Sequence, residues 1–124
     1  MSEAVAPEFD DAVRRKVLAL LGLGVRGRLV VVGAERVRIE AMKGAVHLAV
    51  VATDVSRHSL DKVVPVLRAR RVQVIEWPSS AELGGAVGRD TTAAVGIVDQ
   101  ALARGIRGAV AGAAPASDAT RVSR

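Results

Sequence analysis

Gly33-Ala34-Glu35-Arg36-Val37-Arg38-Ile39-Glu40-Ala41-Met42-Lys43-Gly44-Ala45-Val46-His47-Leu48-Ala49-Val50-Val51-Ala52-Thr53-Asp54 is the stretch whose reading decides the fold. The apolar run Leu29-Val30-Val31-Val32 precedes it and reads as a short strand. Gly33 then opens a short helix that Lys43 and Gly44 close. Val46–Ala52 is a continuous apolar run of strand length, the pattern of a strand buried on both faces. The order strand, glycine, helix, strand puts open backbone amides at a helix N-terminus. Such a terminus suits an anion such as phosphate.

The flanks extend the same alternation. Phe9, Val13, Val17, Leu20 and Leu21 recur at helical spacing and predict an amphipathic helix over residues 9–22. Gly22, Gly24 and Gly27 are expected to break it. Leu60, Val63, Val64 and Leu67 predict a helix over 57–70, which Pro65 should kink or split. Val72–Trp77 reads as a strand. Ser79 and Glu82 form an S-x-x-E capping box before a short helix ending near Gly88. Ala93–Val98 is a further buried strand, and Asp99 caps a last helix over 100–107. Residues 1–108 then form one domain. Residues 109–124, rich in Ala, Gly and Ser, read as a flexible tail that buries too little apolar surface to offset ordering. Strands alternating with helices predict an α/β fold: a three-layer α/β/α sandwich around a central four-stranded, mainly parallel sheet.

Composition narrows the function. The 124 residues are half apolar, enough for one sizeable core. There is no cysteine, which excludes disulfides and thiolate metal sites and fits a cytoplasmic location. Uncharged apolar runs such as Leu48 to Ala52 fall far short of the roughly 20 residues that span a bilayer, so no membrane partner is expected. The net charge is +5, but residues 1–11 hold four acids and no base, which leaves +9 over residues 12–124. A basic body points to a polyanionic partner. Aromatic residues are nearly absent, which argues against base-stacking platforms.

No catalytic constellation emerges. Gly22-Leu23-Gly24-Val25-Arg26-Gly27 matches the dinucleotide pattern G-x-G-x-x-G, but a helical segment precedes it and a strand follows. That is the reverse of the context the pattern needs. His47 and His58 are the only histidines and lack ligand spacing, so no metal and no cofactor are expected. No serine has a nucleophile-elbow context, and no carboxylate pair suggests acid–base work. The chain therefore reads as a non-enzyme with no small-molecule substrate. Its basic clusters are Arg14-Arg15-Lys16, Arg26/Arg28, Arg36/Arg38/Lys43 and Arg68/Arg70/Arg71. Those beside Gly33 are best placed, next to a helix start that already favours anions.

Several segments resemble, in order and spacing, the kink-turn RNA-binding ribosomal-protein superfamily, which includes the L-seven-A-e, L-thirty-e and Gadd-type proteins. The resemblance covers roughly residues 17–107. It rests on Leu20-Leu21-Gly22-Leu23, the Gly22, Gly33 and Gly44 spacing, and Leu48-Ala49-Val50-Val51-Ala52-Thr53-Asp54. It continues through Pro78-Ser79-Ser80-Ala81-Glu82-Leu83-Gly84, then Ala86-Val87-Gly88 and Thr92-Ala93-Ala94-Val95-Gly96-Ile97. The resemblance implies binding of structured RNA, ribosomal or kink-turn-like, against the Gly33 helix and the loop at Gly88–Thr92. The residues so implicated are Gly33, Ala34, Glu35, Arg36, Arg38, Lys43 and Asp54, with Gly88, Arg89, Asp90, Thr91 and Thr92. The chain departs from the pattern where the family reads sheared G·A pairs. Glu35 and Arg36 stand where asparagine and glutamate are usual, and Ile39 where lysine is usual. The resemblance thus leaves two functions open: an RNA binder, or a divergent protein-interaction or ribosome-assembly module that has lost kink-turn recognition.

Overall fold

The computed structural model describes residues 11–55, 57–77 and 79–112. Phe9, Pro78 and residues 113–124 of the expected tail lie outside the described residues. The elements run α1 (Asp11–Arg26), β1 (Val30–Val32), α2 (Ala34–Met42), β2 (Leu48–Val51), α3 (Arg57–Asp61), α4 (Val64–Ala69), β3 (Gln73–Glu76), α5 (Ser80–Ala86), β4 (Ala94–Ile97) and α6 (Gln100–Gly112).

The sheet order is β1-β4-β2-β3. β4 lies between β1 and β2 and runs antiparallel to both, with Val31 opposite Gly96 and Ala49 opposite the same glycine. Only β2 and β3 are parallel. The sheet is therefore mixed, not mainly parallel as the alternation suggested. The cause lies in α5. A crossover helix that spans the sheet returns the chain to the end it started from, and the next strand is parallel. α5 has seven residues and is only about 10 Å long. The loop behind it folds back on its own start, where the Thr92 amide donates to the Ser80 carbonyl at 3.1 Å. β4 thus enters the sheet at the end that β3 has just left, and it must run the other way.

The fully buried strand β2 sends Leu48 and Val50 to one face and Ala49 and Val51 to the other. On the first face they meet Val17 and Leu21 of α1, Leu83 of α5 and Ile106 of α6. On the second they meet Val37 and Ala41 of α2, Leu67 of α4, and Val63 just before it. Helices thus cover both faces, as expected.

Two helix boundaries differ from expectation. α1 runs through Gly22 and Gly24 to Arg26. A Cβ at Gly24 would sit 2.6 Å from Leu102 Cδ2 and 2.8 Å from Val30 Cγ1. This glycine lets α1 close on α6 and β1, and it does not end the helix. α6 continues past residue 107 to Gly112, so the first four residues of the expected tail are helical. The other local readings match. Pro65 sits in the first turn of α4 and separates it from α3. The Asp99 carboxylate accepts from the Leu102 amide at 2.8 Å, and Ser79 and Glu82 form a complete capping box.

Four helices, α1, α2, α4 and α5, end in the same way. In each, the third residue past the helix donates to a carbonyl five positions back: Leu29 to Gly24, Ala45 to Glu40, Val72 to Leu67 and Arg89 to Gly84. The residue before that donor is left-handed in every case: Arg28 (φ 60), Gly44 (φ 78), Arg71 (φ 59) and Gly88 (φ 82). This is the Schellman closure, in which glycine normally supplies the positive φ.

Candidate nucleic-acid interface

One end of the sheet collects the C-termini of β1, β2 and β3 and the N-terminus of β4. Three of the expected site segments meet there. The Gly33 amide donates to the Ala94 carbonyl at 2.8 Å, and the Ala52 amide to the Ala93 carbonyl at 2.9 Å. The start of α2 and the Thr53–Asp54 segment thus flank the end of the 88–92 loop.

Gly33 is the residue before α2, with φ 104 and ψ 142. A Cβ there would meet nothing within 4 Å, so the space in front of it is open, while its φ favours glycine. No side chain caps this helix. The first-turn amides at Ala34, Glu35 and Arg36 therefore have no helical acceptor, which is the condition for anion binding.

The side chains of this helix divide into two groups. Arg38 donates to both carboxylate oxygens of Glu35, at 3.3 and 2.5 Å, and also to Met42 Sδ at 3.2 Å. The Arg38 hydrogen bond holds the Glu35 carboxyl below its ordinary pKa against the cost of burial, and the charges of Arg38 and Lys62 reinforce it. Arg36 is exposed and has no partner among the described residues. Lys43 pairs with Glu40 at 3.4 Å. It lies at the far end of α2, about 15 Å along the axis from Gly33. The structure does not bring Lys43 to the Gly33 end, although the sequence grouped it with Arg36. The charge of Lys62 acts on Glu35. Lys62 stands alone in the sequence and gave no clustering signal.

Asp54 is tied to the scaffold, because its Oδ1 accepts from the Ser80 amide at 2.7 Å. It thereby fixes the start of α5, and the Ser80 carbonyl in turn holds Thr92. The 88–92 loop is built tightly at its base. Gly88 is left-handed, and the Arg89 amide donates to the Gly84 carbonyl at 2.8 Å. Thr92 is buried, with its hydroxyl 3.4 Å from the Ala94 carbonyl. Gly88, Arg89, Asp90 and Thr91 remain exposed at the tip.

Arg14 is a clamp. It grips both oxygens of Glu82 at 3.1 and 2.9 Å and lies over the Trp77 ring at 5.3 Å from its centre. Burial penalises the charged Glu82 carboxylate. The Ser79 amide and the Arg14 guanidinium outweigh that penalty and hold its pKa below the ordinary value. Beside this end, an open cleft of about 460 Å³ lies between the β2–β3 end and α3–α4, lined by Thr53, Leu60, Asp61, Arg68 and Glu76 among others. Its lining is scattered along the sequence, which is why no motif announced it. Among the described residues no group of three or more His, Asp or Glu could hold a metal. No helix among them is long and apolar enough to cross a membrane.

The model of the Ribosomal protein L7Ae/L30e/S12e/Gadd45 family matches residues 15–105. The chain belongs to this family. A solved protein of unknown function from Bacillus halodurans is 26% identical, with a TM-score of 0.71 over 77% of this chain and 96% of that one. The Giardia lamblia 15.5kD RNA binding protein is 19% identical, with a TM-score of 0.70 over 86% of this chain and 92% of that one. The second likeness is one of fold. No curated protein matches the chain. The family match spans every element from α1 to the first turns of α6, including the mixed sheet and both segments of the candidate interface.

Proposed function

We propose that this domain binds structured RNA, without catalysis, at the end of the sheet where α2 begins. One observation carries the reading: the uncapped start of α2, with exposed Arg36, stands beside the exposed tip of the 88–92 loop. The helix start offers amides and a positive dipole end to a phosphate. Arg36 and Arg89 offer charge-assisted hydrogen bonds. The closed carbonyl–amide links at Gly33, Ala52 and Thr92 hold the two segments in fixed relation. Family membership and the name of the Giardia relative support RNA as the ligand. We place the protein in the cytoplasm, associated with ribosomal or kink-turn-like RNA.

The Glu35–Arg38 ion pair favours a second reading, in which kink-turn reading is lost and the same surface serves ribosome assembly or a protein partner. Sheared G·A pairs need donors and acceptors at fixed places on the helix start. Here Glu35 is already committed to Arg38. A gel-shift series with a standard kink-turn RNA and a mutated-kink control separates the readings. The expected result is weak wild-type binding, strengthened at least several-fold in the triple variant Glu35→Asn, Arg36→Glu, Ile39→Lys. Tight, kink-specific binding by the wild type would establish the simpler family mode. Absence of RNA binding in both proteins, at low and moderate salt, would refute an RNA function.

A further inference from the structure

The positive charge of this protein is concentrated away from the interface just described. At the α2-start end, acids and bases interleave: Glu35 with Arg38, Glu82 with Arg14, and Asp90 beside Arg89. The opposite rim of the sheet is different. It is made from the ends of α1, α2 and α4 and the first residues of β1, β2 and β3. It carries Arg26, Arg28, Lys43, Arg70, Arg71 and Arg107. Against them stand, among the described residues, two carboxylates, both engaged: Glu40 with Lys43, and Asp99 with the first turn of α6.

The backbone of this rim carries a second, independent signal. Of the four Schellman closures, two use glycine at the left-handed position and two use arginine. Arg28 and Arg71 are the only described non-glycine residues with positive φ, and both lie on this rim. Glycine adopts that conformation without steric cost, whereas an L side chain does not. Arginine stands at two positions where folding alone favours glycine. Neighbouring arginines are anchored to the backbone and side chains of the same rim. Arg70 donates to the Met42 carbonyl at the end of α2, and Arg107 donates to the His47 carbonyl at 2.6 Å and to Gln73 Oε1 at 3.2 Å.

We propose that this rim is a second RNA-binding surface, which grips the phosphate backbone of a duplex without reading its sequence. The rim runs from the start of β1 to the start of β3, three strand spacings or about 14 Å. A duplex presents several phosphates over that length. No aromatic side chain among the described residues stands on the rim, so it lacks the anchor of a protein hot spot. Together with the α2-start interface, the surface lets one small domain hold two RNA segments at opposite ends of its sheet. The duplex grip itself does not depend on the reading under Proposed function.

The test titrates a blunt, fully paired RNA duplex over a salt series. It compares the wild type with the variant Arg28→Gly, Lys43→Ala, Arg71→Gly, and records the melting of both. Two of the three changes relieve left-handed strain, so the variant melts at or above the wild-type temperature. Its duplex affinity falls about tenfold or more at low salt, and the log–log salt slope shallows by about 2.7, as three lost phosphate contacts require. The charge-keeping variant Arg28→Lys, Arg71→Lys retains the affinity. Unchanged affinity and slope in the charge-removed variant overturn the proposal. So does wild-type binding to polyglutamate as tight as to the duplex, which would assign the rim to an acidic protein. The variant Arg36→Ala, Arg89→Ala, at the other end, keeps the duplex affinity. Loss of it there overturns the assignment to this rim. Failure of the α2-start reading shows separately, as unaltered binding of kinked RNA by that same variant.

Discussion

Gly84 and Gly85 are neighbours in α5, and alanine at the two positions should have opposite effects. A Cβ at Gly84 would lie 2.6 Å from Thr91 Cα, 2.8 Å from the Thr91 nitrogen and 2.9 Å from the Asp90 carbonyl carbon. All three are backbone atoms and cannot swing aside. Ordinary contact begins near 3.5 Å, so the loop must retreat by about 1 Å. That retreat pulls on two hydrogen bonds at the base of the loop, Arg89 to Gly84 and Thr92 to Ser80. Overpacking of this kind costs about 1–3 kcal/mol, and each hydrogen bond contributes about 1 kcal/mol. Alanine regains up to about 1 kcal/mol of helix propensity. The balance for Gly84→Ala is a loss of about 2–4 kcal/mol. A Cβ at Gly85 meets nothing within 4 Å, so Gly85→Ala keeps only the propensity gain of about 0.5–1 kcal/mol. Urea denaturation of the two variants at neutral pH measures both numbers. In the folded protein, Gly84→Ala also displaces the exposed loop tip and weakens RNA binding, while Gly85→Ala leaves it unchanged. Equal midpoints for the two variants would show that the 88–92 loop yields to a methyl group, and the account of a rigid, helix-anchored loop would be wrong.

Two further outcomes follow from the same end of the sheet. The Glu82 carboxyl is held below its ordinary pKa of 4.5. Its contribution is therefore full above that value and is lost as pH falls through the depressed folded pKa. The melting temperatures of wild type and Glu82→Gln should differ at pH 7 and converge in acid; a gap that stays constant with pH would contradict the Arg14–Glu82–Ser79 arrangement. Asp54→Ala removes the acceptor of the Ser80 amide and should cost about 1 kcal/mol in chemical denaturation. Asp54→Asn keeps an oxygen there and should recover most of that loss, and a failure to recover would show that charge, not the hydrogen bond, is what Asp54 supplies.

Features encoded within one turn of chain were legible before folding. Ser79 and Glu82 announce their capping box because both partners lie within four residues. Pro65 divides α3 from α4 because its missing amide acts locally. What escaped reading depends on who sits across the fold. Gly24 resembles a helix breaker until Leu102 and Val30 are seen pressing on it. The direction of β4 depends on how α5 and its loop turn back, and hydrophobic alternation does not record that. Of the candidate site, the start of α2 and the 88–92 loop were legible as motifs. The remoteness of Lys43 and the scaffold bond of Asp54 were not, since they follow from the length of a helix and the order of strands. Arg28 and Arg71 are the extreme case, because no residue preference marks an arginine as left-handed.

The clamp at Arg14 has a practical consequence for the duplex titration at the far rim. Trp77 is the only tryptophan, and the chain has no tyrosine, so near-ultraviolet emission comes from a single ring. That ring sits just past β3 under a guanidinium that also grips α5, with α1 as the base of the grip. Its emission is therefore a one-pixel image of the junction of three elements. Opening of α1 or α5 dims or shifts it, whereas RNA seated at the far rim leaves it unlit by any change. A single cuvette can thus separate unfolding from binding, with no label added.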